Sequence, residues 1–121
     1  MLYSEHTRAA APGRVEEDLR IRSANATDPR TTVAQMAAIA LHDTRERLHE
    51  LAGLPVTVIH GDGDLLVPPS HGEALAEGIP GARLVLLSGS AHVLSTDDEP
   101  GLSAAVREHL DRVTGHERSA A

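Results

Sequence analysis

The chain has 121 residues, 40% of them hydrophobic and 24% charged, and carries a formal net charge of −7. That length suits one compact domain and excludes two ordinary ones, and the balance of apolar and charged residues indicates neither a disordered tail nor a membrane protein. Phe, Trp and Cys are absent and Tyr3 is the single aromatic, which excludes disulfides, thiolate metal sites and a Cys nucleophile, and with the net negative charge it leaves nucleic acid neither an attractive field nor a stacking platform.

Met1 to Arg14 is small, polar and without period, the pattern of a loose arm, with a weak helix at Val15 to Ile21. No apolar run of about 7 to 15 residues follows a basic start, so no secretory signal is expected. Nor is there a run of roughly 20 apolar residues to span a membrane, and a cytoplasmic protein is the default.

After the turn-rich Asn25-Ala-Thr-Asp-Pro29, the residues Val33, Met36, Ala37, Ala40 and Leu41 fall at helical spacing, predicting a helix over about Thr32 to Leu41. Asp43 with Glu46 three residues on reads as a capping box, so a second helix should start at Thr44 with Leu48 and Leu51 inward. Arg45, Glu46, Arg47 and Glu50, with His42 and His49, read as its solvated face. Gly53 and Pro55 close it. Val56 to Ile59 is a short β-branched run, the mark of a parallel strand buried on both faces.

His60-Gly-Asp-Gly-Asp64 is a loop, and a helix follows it, with Ser70 and Glu73 as a second capping box and Leu75, Ala76 and Ile79 apolar. Pro80-Gly81 ends that helix, and Leu84 to Leu87 is a second strand. Ser88 to Glu99 reads as a polar loop, and Pro100 starts a last helix with Leu102, Ala105, Val106, His109, Leu110 and Val113 on one face. The two strands and the helix between them form a βαβ unit, an α/β fold. A sheet of two parallel strands is poorly covered and leaves an edge open to self-association, so the chain reads as part of a larger sheet.

In parallel sheets, loops at the carboxyl ends of the strands converge on a common crevice. Two candidates for acid–base chemistry sit there: Asp64 after the first strand and His92 after the second. A carboxylate that accepts a hydrogen bond from an imidazole fixes its tautomer and stabilises the imidazolium form. Asp62 is the competing acid. His60, at the strand end, suits packing or a backbone hydrogen bond. A metal cluster of His60, Asp62, Asp64 and His71 is disfavoured, because paired His spacing is missing. An EF-hand begun at Asp62 fails too, with Leu66 and Val67 at two of its required positions, although Glu73 falls at the last.

His60-Gly-Asp-Gly-Asp-Leu-Leu-Val-Pro68 resembles the acid loop of α/β-hydrolase fold enzymes, Gly-x-x-Asp-x-x-Val-Pro. Gly72, Ile79-Pro-Gly-Ala82, the strand Leu84 to Leu87, and Ser90-Ala-His92 with Glu99-Pro100 follow in that family's order. The resemblance covers about Asp28 to Val113. It implies that Asp64 is the triad acid, that His92 is the triad base, and that the two strands are the last two of the family's sheet. It also implies a division of the chain into a flexible arm and cap remnant (1–28), cap-end helices (29–53), a C-terminal βαβα part (54–115) and a tail (116–121).

The departures are Ala91 where the family usually has Gly, and the absence of a Gly-x-Ser-x-Gly nucleophile elbow before Asp64. Gly101-Leu-Ser-Ala-Ala105 comes after His92 and follows no strand, so Ser103 is not an elbow nucleophile. The expected function is that of the C-terminal portion of a serine hydrolase acting on a small ester-like substrate when completed by an upstream segment. No cofactor, metal or nucleic acid is expected, and the chain alone is expected to be inactive. The alternative is a non-catalytic remnant or interaction module that pairs through its strand edge.

Overall fold

The computed structural model describes residues 2–119, with side chains through Gly115. The element order is α1 (Glu5–Ala10), α2 (Pro12–Ala24), α3 (Pro29–Leu41), a 3-10 helix (Arg45–Leu51), β1 (Thr57–Gly61), α4 (Pro69–Gly78), β2 (Arg83–Leu87), α5 (Leu94–Asp97) and α6 (Glu99–Ser119). The two strands pair in parallel, with Thr57 opposite Arg83 and Gly61 opposite Leu87. The chain is thus α/β, as its pattern predicts.

Side-chain alternation gives each face of the strand pair its own helix. Thr57 of β1 bonds the His109 ring of α6, and the Arg83–Glu108 ion pair at 2.7 Å ties β2 to the same helix. His60, three residues on from Thr57, points the other way and packs against Gly72 of α4, where a Cβ would stand 2.8 Å from the ring. The strand residues Thr57 to His60 remain half-buried rather than enclosed, and Leu86 is exposed. The expectation of strands buried on both faces is therefore too strong: each face has a helix, but with two strands among the described residues each strand keeps one open edge through which solvent reaches it.

Most buried residues gather at the carboxyl ends of the strands, Gly61, Asp64, Leu87, Ser90, Ala91, Val93 and Thr96, with Tyr3 and Thr7 from the amino-terminal segment, while Gly72, Ile79 and Ala105 are buried where helices meet the strand pair. The amino-terminal segment departs most from the sequence reading. The loose arm expected at Met1 to Arg14 holds α1 and the start of α2, and the weak helix expected at Val15 to Ile21 is present as the longer α2. Ser4 caps α1 by accepting from the Thr7 amide, Pro12 opens α2, and the Tyr3 hydroxyl donates to Asp18 of α2. Its single aromatic ring supplies the apolar anchor that the segment's composition hides. Met1, Ala120 and Ala121 lie outside the described residues, and α6 runs on to Ser119 through most of the expected tail.

Three smaller differences concern helix ends. α3 starts earlier than expected, at Pro29, because the Asp28 carboxylate accepts from the Arg30 and Thr31 amides. Neither predicted capping box forms. Asp43 instead binds the Arg45 amide and guanidinium beside a 3-10 helix, and Ser70 lies inside α4, whose start is set by Pro68 and Pro69. The predicted polar loop after β2 contains the single turn α5.

Candidate active site

The loops after β1 and β2 are sutured to one another before any side chain of the site is placed. The Asp62 amide donates to the Leu87 carbonyl at 3.1 Å, and the Gly63 amide donates to the Ser90 carbonyl at 2.9 Å. The Asp62 carboxylate accepts from the Gly89 amide at 2.7 Å. Gly61 permits this approach: a Cβ there would lie 2.4 Å from the carbonyl oxygens of both Ser90 and Ala91.

Asp64 is 4% exposed and fully engaged. Its Oδ1 accepts from the amides of Leu66 and Val67, each at 2.9 Å, and its Oδ2 accepts from His92 Nδ1 at 2.8 Å. Burial pushes its carboxyl upward. The Val67 amide, the His92 ring and the Leu66 amide favour the ionised form, and together they hold it below the usual carboxylate range. The His92 side chain is 37% exposed. With Nδ1–H donating to Asp64, the neutral ring carries its lone pair on Nε2, the arrangement a general base needs.

Of the other sequence candidates, Asp62 is brought to the same loop pair but turns to the Gly89 amide rather than to an imidazole. His60 donates from Nε2 to the Val67 carbonyl at 2.9 Å and stands 3.5 Å from Asp64 Oδ2, so it props the acid loop. The Ser103 hydroxyl donates to Glu99 at 2.6 Å in the first turn of α6. Among the described residues no group of three His, Asp or Glu side chains is placed to hold a metal ion. Ala91, in place of the family's usual Gly, is buried and strain-free, since among the described residues positive φ occurs only at Gly53, Gly81 and Gly89.

A cleft of about 230 Å³ opens at the pair, lined by Ile59, His60, Gly61, Asp64, Val67, Ala91, His92 and Leu94. A larger hollow of about 470 Å³ lies at the opposite ends of the strands, between Gly53–Pro55, Pro80–Gly81 and Arg112–Val113. It contains no acid–base pair, whereas the smaller cleft holds Asp64 and His92. Sequence reasoning missed Asp97 and Leu2. Asp97 Oδ2 accepts from the Ala91 amide at 2.7 Å, and the Leu2 carbonyl accepts from the amides of His92 and Val93 at 3.1 and 3.0 Å. Leu2 carries no side-chain signal for this, since the group it uses is its backbone.

No protein-family model matches the chain. Over 68 residues, 56% of its length, the chain is 41% identical to a putative carbamate hydrolase, RutD, of Agrobacterium fabrum, and the match takes in 25% of that protein. A thermophilic esterase from Thermogutta terrifontis, solved with malate bound, has the same fold over 93% of the chain, with a TM-score of 0.75 and 27% identity. The chain corresponds to 40% of that esterase, so it spans less than half the length of either protein. No helix among the described residues is long and apolar enough to cross a membrane. By fold and sequence alike, the chain is related to the α/β-hydrolase fold family, over part of the length of the relatives it matches.

Proposed function

We propose that Asp64 and His92 form the acid–base half of a serine hydrolase that cleaves a small ester or carbamate. The chain supplies the C-terminal βαβα part (54–115) with cap-end helices (29–53) before it. The hydrogen bond from His92 Nδ1 to the buried Asp64 carboxylate carries this reading, and the names of the two relatives, a putative carbamate hydrolase and an esterase, support the bond class. The nucleophile is a serine outside the 121 residues, since Gly-x-Ser-x-Gly does not occur before Asp64. His92 Nε2 takes the proton of that hydroxyl as its oxygen attacks the carbonyl carbon. The same proton then passes to the leaving alcohol or amine, and a water repeats the cycle on the acyl-enzyme. Asp64 holds the ring in the required tautomer throughout.

The test joins the chain to an upstream segment carrying a Gly-x-Ser-x-Gly strand-turn-helix and exposes it to a fluorophosphonate probe and a chromogenic short-chain ester. We expect labelling and turnover only in the joined protein, with both lost in His92→Ala. Turnover indifferent to His92→Ala would overturn the assignment. Labelling of the 121 residues alone would overturn the placement of the nucleophile.

A further inference from the structure

Three consecutive backbone N–H groups flank and include His92, and none of them bonds within the sheet. The Ala91 amide donates to Asp97 Oδ2, and the amides of His92 and Val93 both donate to the Leu2 carbonyl. The two anchors are themselves joined, because the Ser4 amide donates to both oxygens of Asp97, each at 3.0 Å. Asp97 is carried back over the loop by the single turn α5, its own amide donating to the Val93 carbonyl at 3.0 Å.

From this we propose that Asp97 is a positioning residue for His92, fixing the loop backbone so that the imidazole meets Asp64. The proposal rests on the acid–base reading above. Packing does not orient the ring, since the side chain is more than one third exposed. Its direction comes from one bond to Asp64 and from the backbone that carries it. The Asp97 carboxylate accepts from Ala91 at 2.7 Å on one side and from Ser4, at 3.0 Å to each oxygen, on the other, so one side chain links the His loop to the amino-terminal strap. Removing that carboxylate frees the Ala91 and Ser4 amides in one step and leaves the Leu2 carbonyl alone to hold His92 and Val93. A shift of about 1 Å at a base is enough to matter by about a hundredfold in a completed enzyme.

The experiment uses the 121-residue chain labelled with nitrogen-15, as wild type, Asp97→Ala and Asp97→Asn. Three readouts are taken: the ring nitrogen shifts and low-field Nδ1–H signal of His92, hydrogen exchange at the amides of residues 91–93, and exchange in the β1–β2 ladder as a control of fold. In Asp97→Ala we expect exchange at residues 91–93 to rise about tenfold or more, the Nδ1–H signal to vanish, the ring to become a mixture of tautomers, and the ladder to keep its protection. A merely structural role would speed the amides and leave the His92 ring in the wild-type tautomer, and that result overturns the proposal. Should Asp97→Ala lose ladder protection, Asp97→Asn decides. Its oxygen can still accept from Ala91, but the NH2 that replaces Oδ1 then faces the Ser4 amide, donor against donor, so a broadened His92 signal is expected, and a wild-type His92 spectrum in this folded variant sinks the idea. A joined protein that fails to hydrolyse, while Asp97→Ala still dissolves the His92 signal, would remove the catalytic reading and leave the positioning role standing.

Discussion

At Asp64 one carboxylate serves two ends: it closes its own loop through the Leu66 and Val67 amides, and it orients His92. Asn at this position keeps one acceptor oxygen but presents an NH2 group to the other side of the network. In the joined enzyme Asp64→Asn should therefore lower kcat by about 10⁴-fold through the wrong His92 tautomer, measured with the same ester. The pH dependence has a definite sign. The folded-state pKa of Asp64 lies below its unfolded value, so its contribution to stability is complete above about pH 4 and is lost as the pH falls through the folded value. Urea midpoints of wild type and Asp64→Asn should thus stand apart at pH 7 and draw together as the pH is lowered into the acid range. At Gly61 the constraint is steric, since two carbonyl oxygens occupy the place of a Cβ. Gly61→Ala should cost about 1–3 kcal/mol of unfolding free energy in the same urea assay. Asp64 and His92 are legible in the sequence because an acid or an imidazole after a strand is a chemical signal. Gly61 and Asp97 are not, because their roles depend on where a second loop passes.

At the scale of elements, local signals place the strands and most helices to within a few residues, and they fail at caps. The pairs Asp43/Glu46 and Ser70/Glu73 have capping-box spacing, yet Arg45 claims the first acid and consecutive prolines preset the start of α4. α3 shows the opposite failure. Its helical period is real, but Val33, Met36, Ile39 and Leu41 are all exposed and none of its residues is buried. Its stability is therefore local, resting on the Asp28 cap and Pro29 rather than on packing. Replacing Asp28 by Ala should cost the helix about 1 kcal/mol. Circular dichroism should show α3 fraying while the β1–β2 ladder keeps its exchange protection. Ser in place of Val33 or Met36 should change global stability by less than about 0.5 kcal/mol.

Across the whole molecule, burial follows the loops more than the sheet. The strands carry the expected β-branched and aliphatic residues but stay half-buried, and the most enclosed side chain is Ser90, 1% exposed, in the His loop. A core without Phe or Trp draws on Leu, Val, Ile and Ala, which leaves Leu75, Leu86, Val106 and Leu110 partly open around the strand pair. That two-stranded layout is legible in two short aliphatic runs, Val56 to Ile59 and Leu84 to Leu87, each set between turn residues. The docking of residues 2–24 was not, because it depends on one tyrosine, one cap and a backbone carbonyl, none of which has a period.

The strap across the His loop also bears on the order in which the chain folds. The Ser4–Asp97 bond spans 93 residues, against 28 for Asp64–His92, and closing the longer loop from an open chain costs about 1 kcal/mol more in entropy. The βαβ unit needs only nearby contacts and should form first. In pulse-labelled refolding, ladder amides should therefore gain protection before those of Ser4, Ala91 and His92. The His92 imidazole would then reach its final register only after the two distant parts of the chain have met.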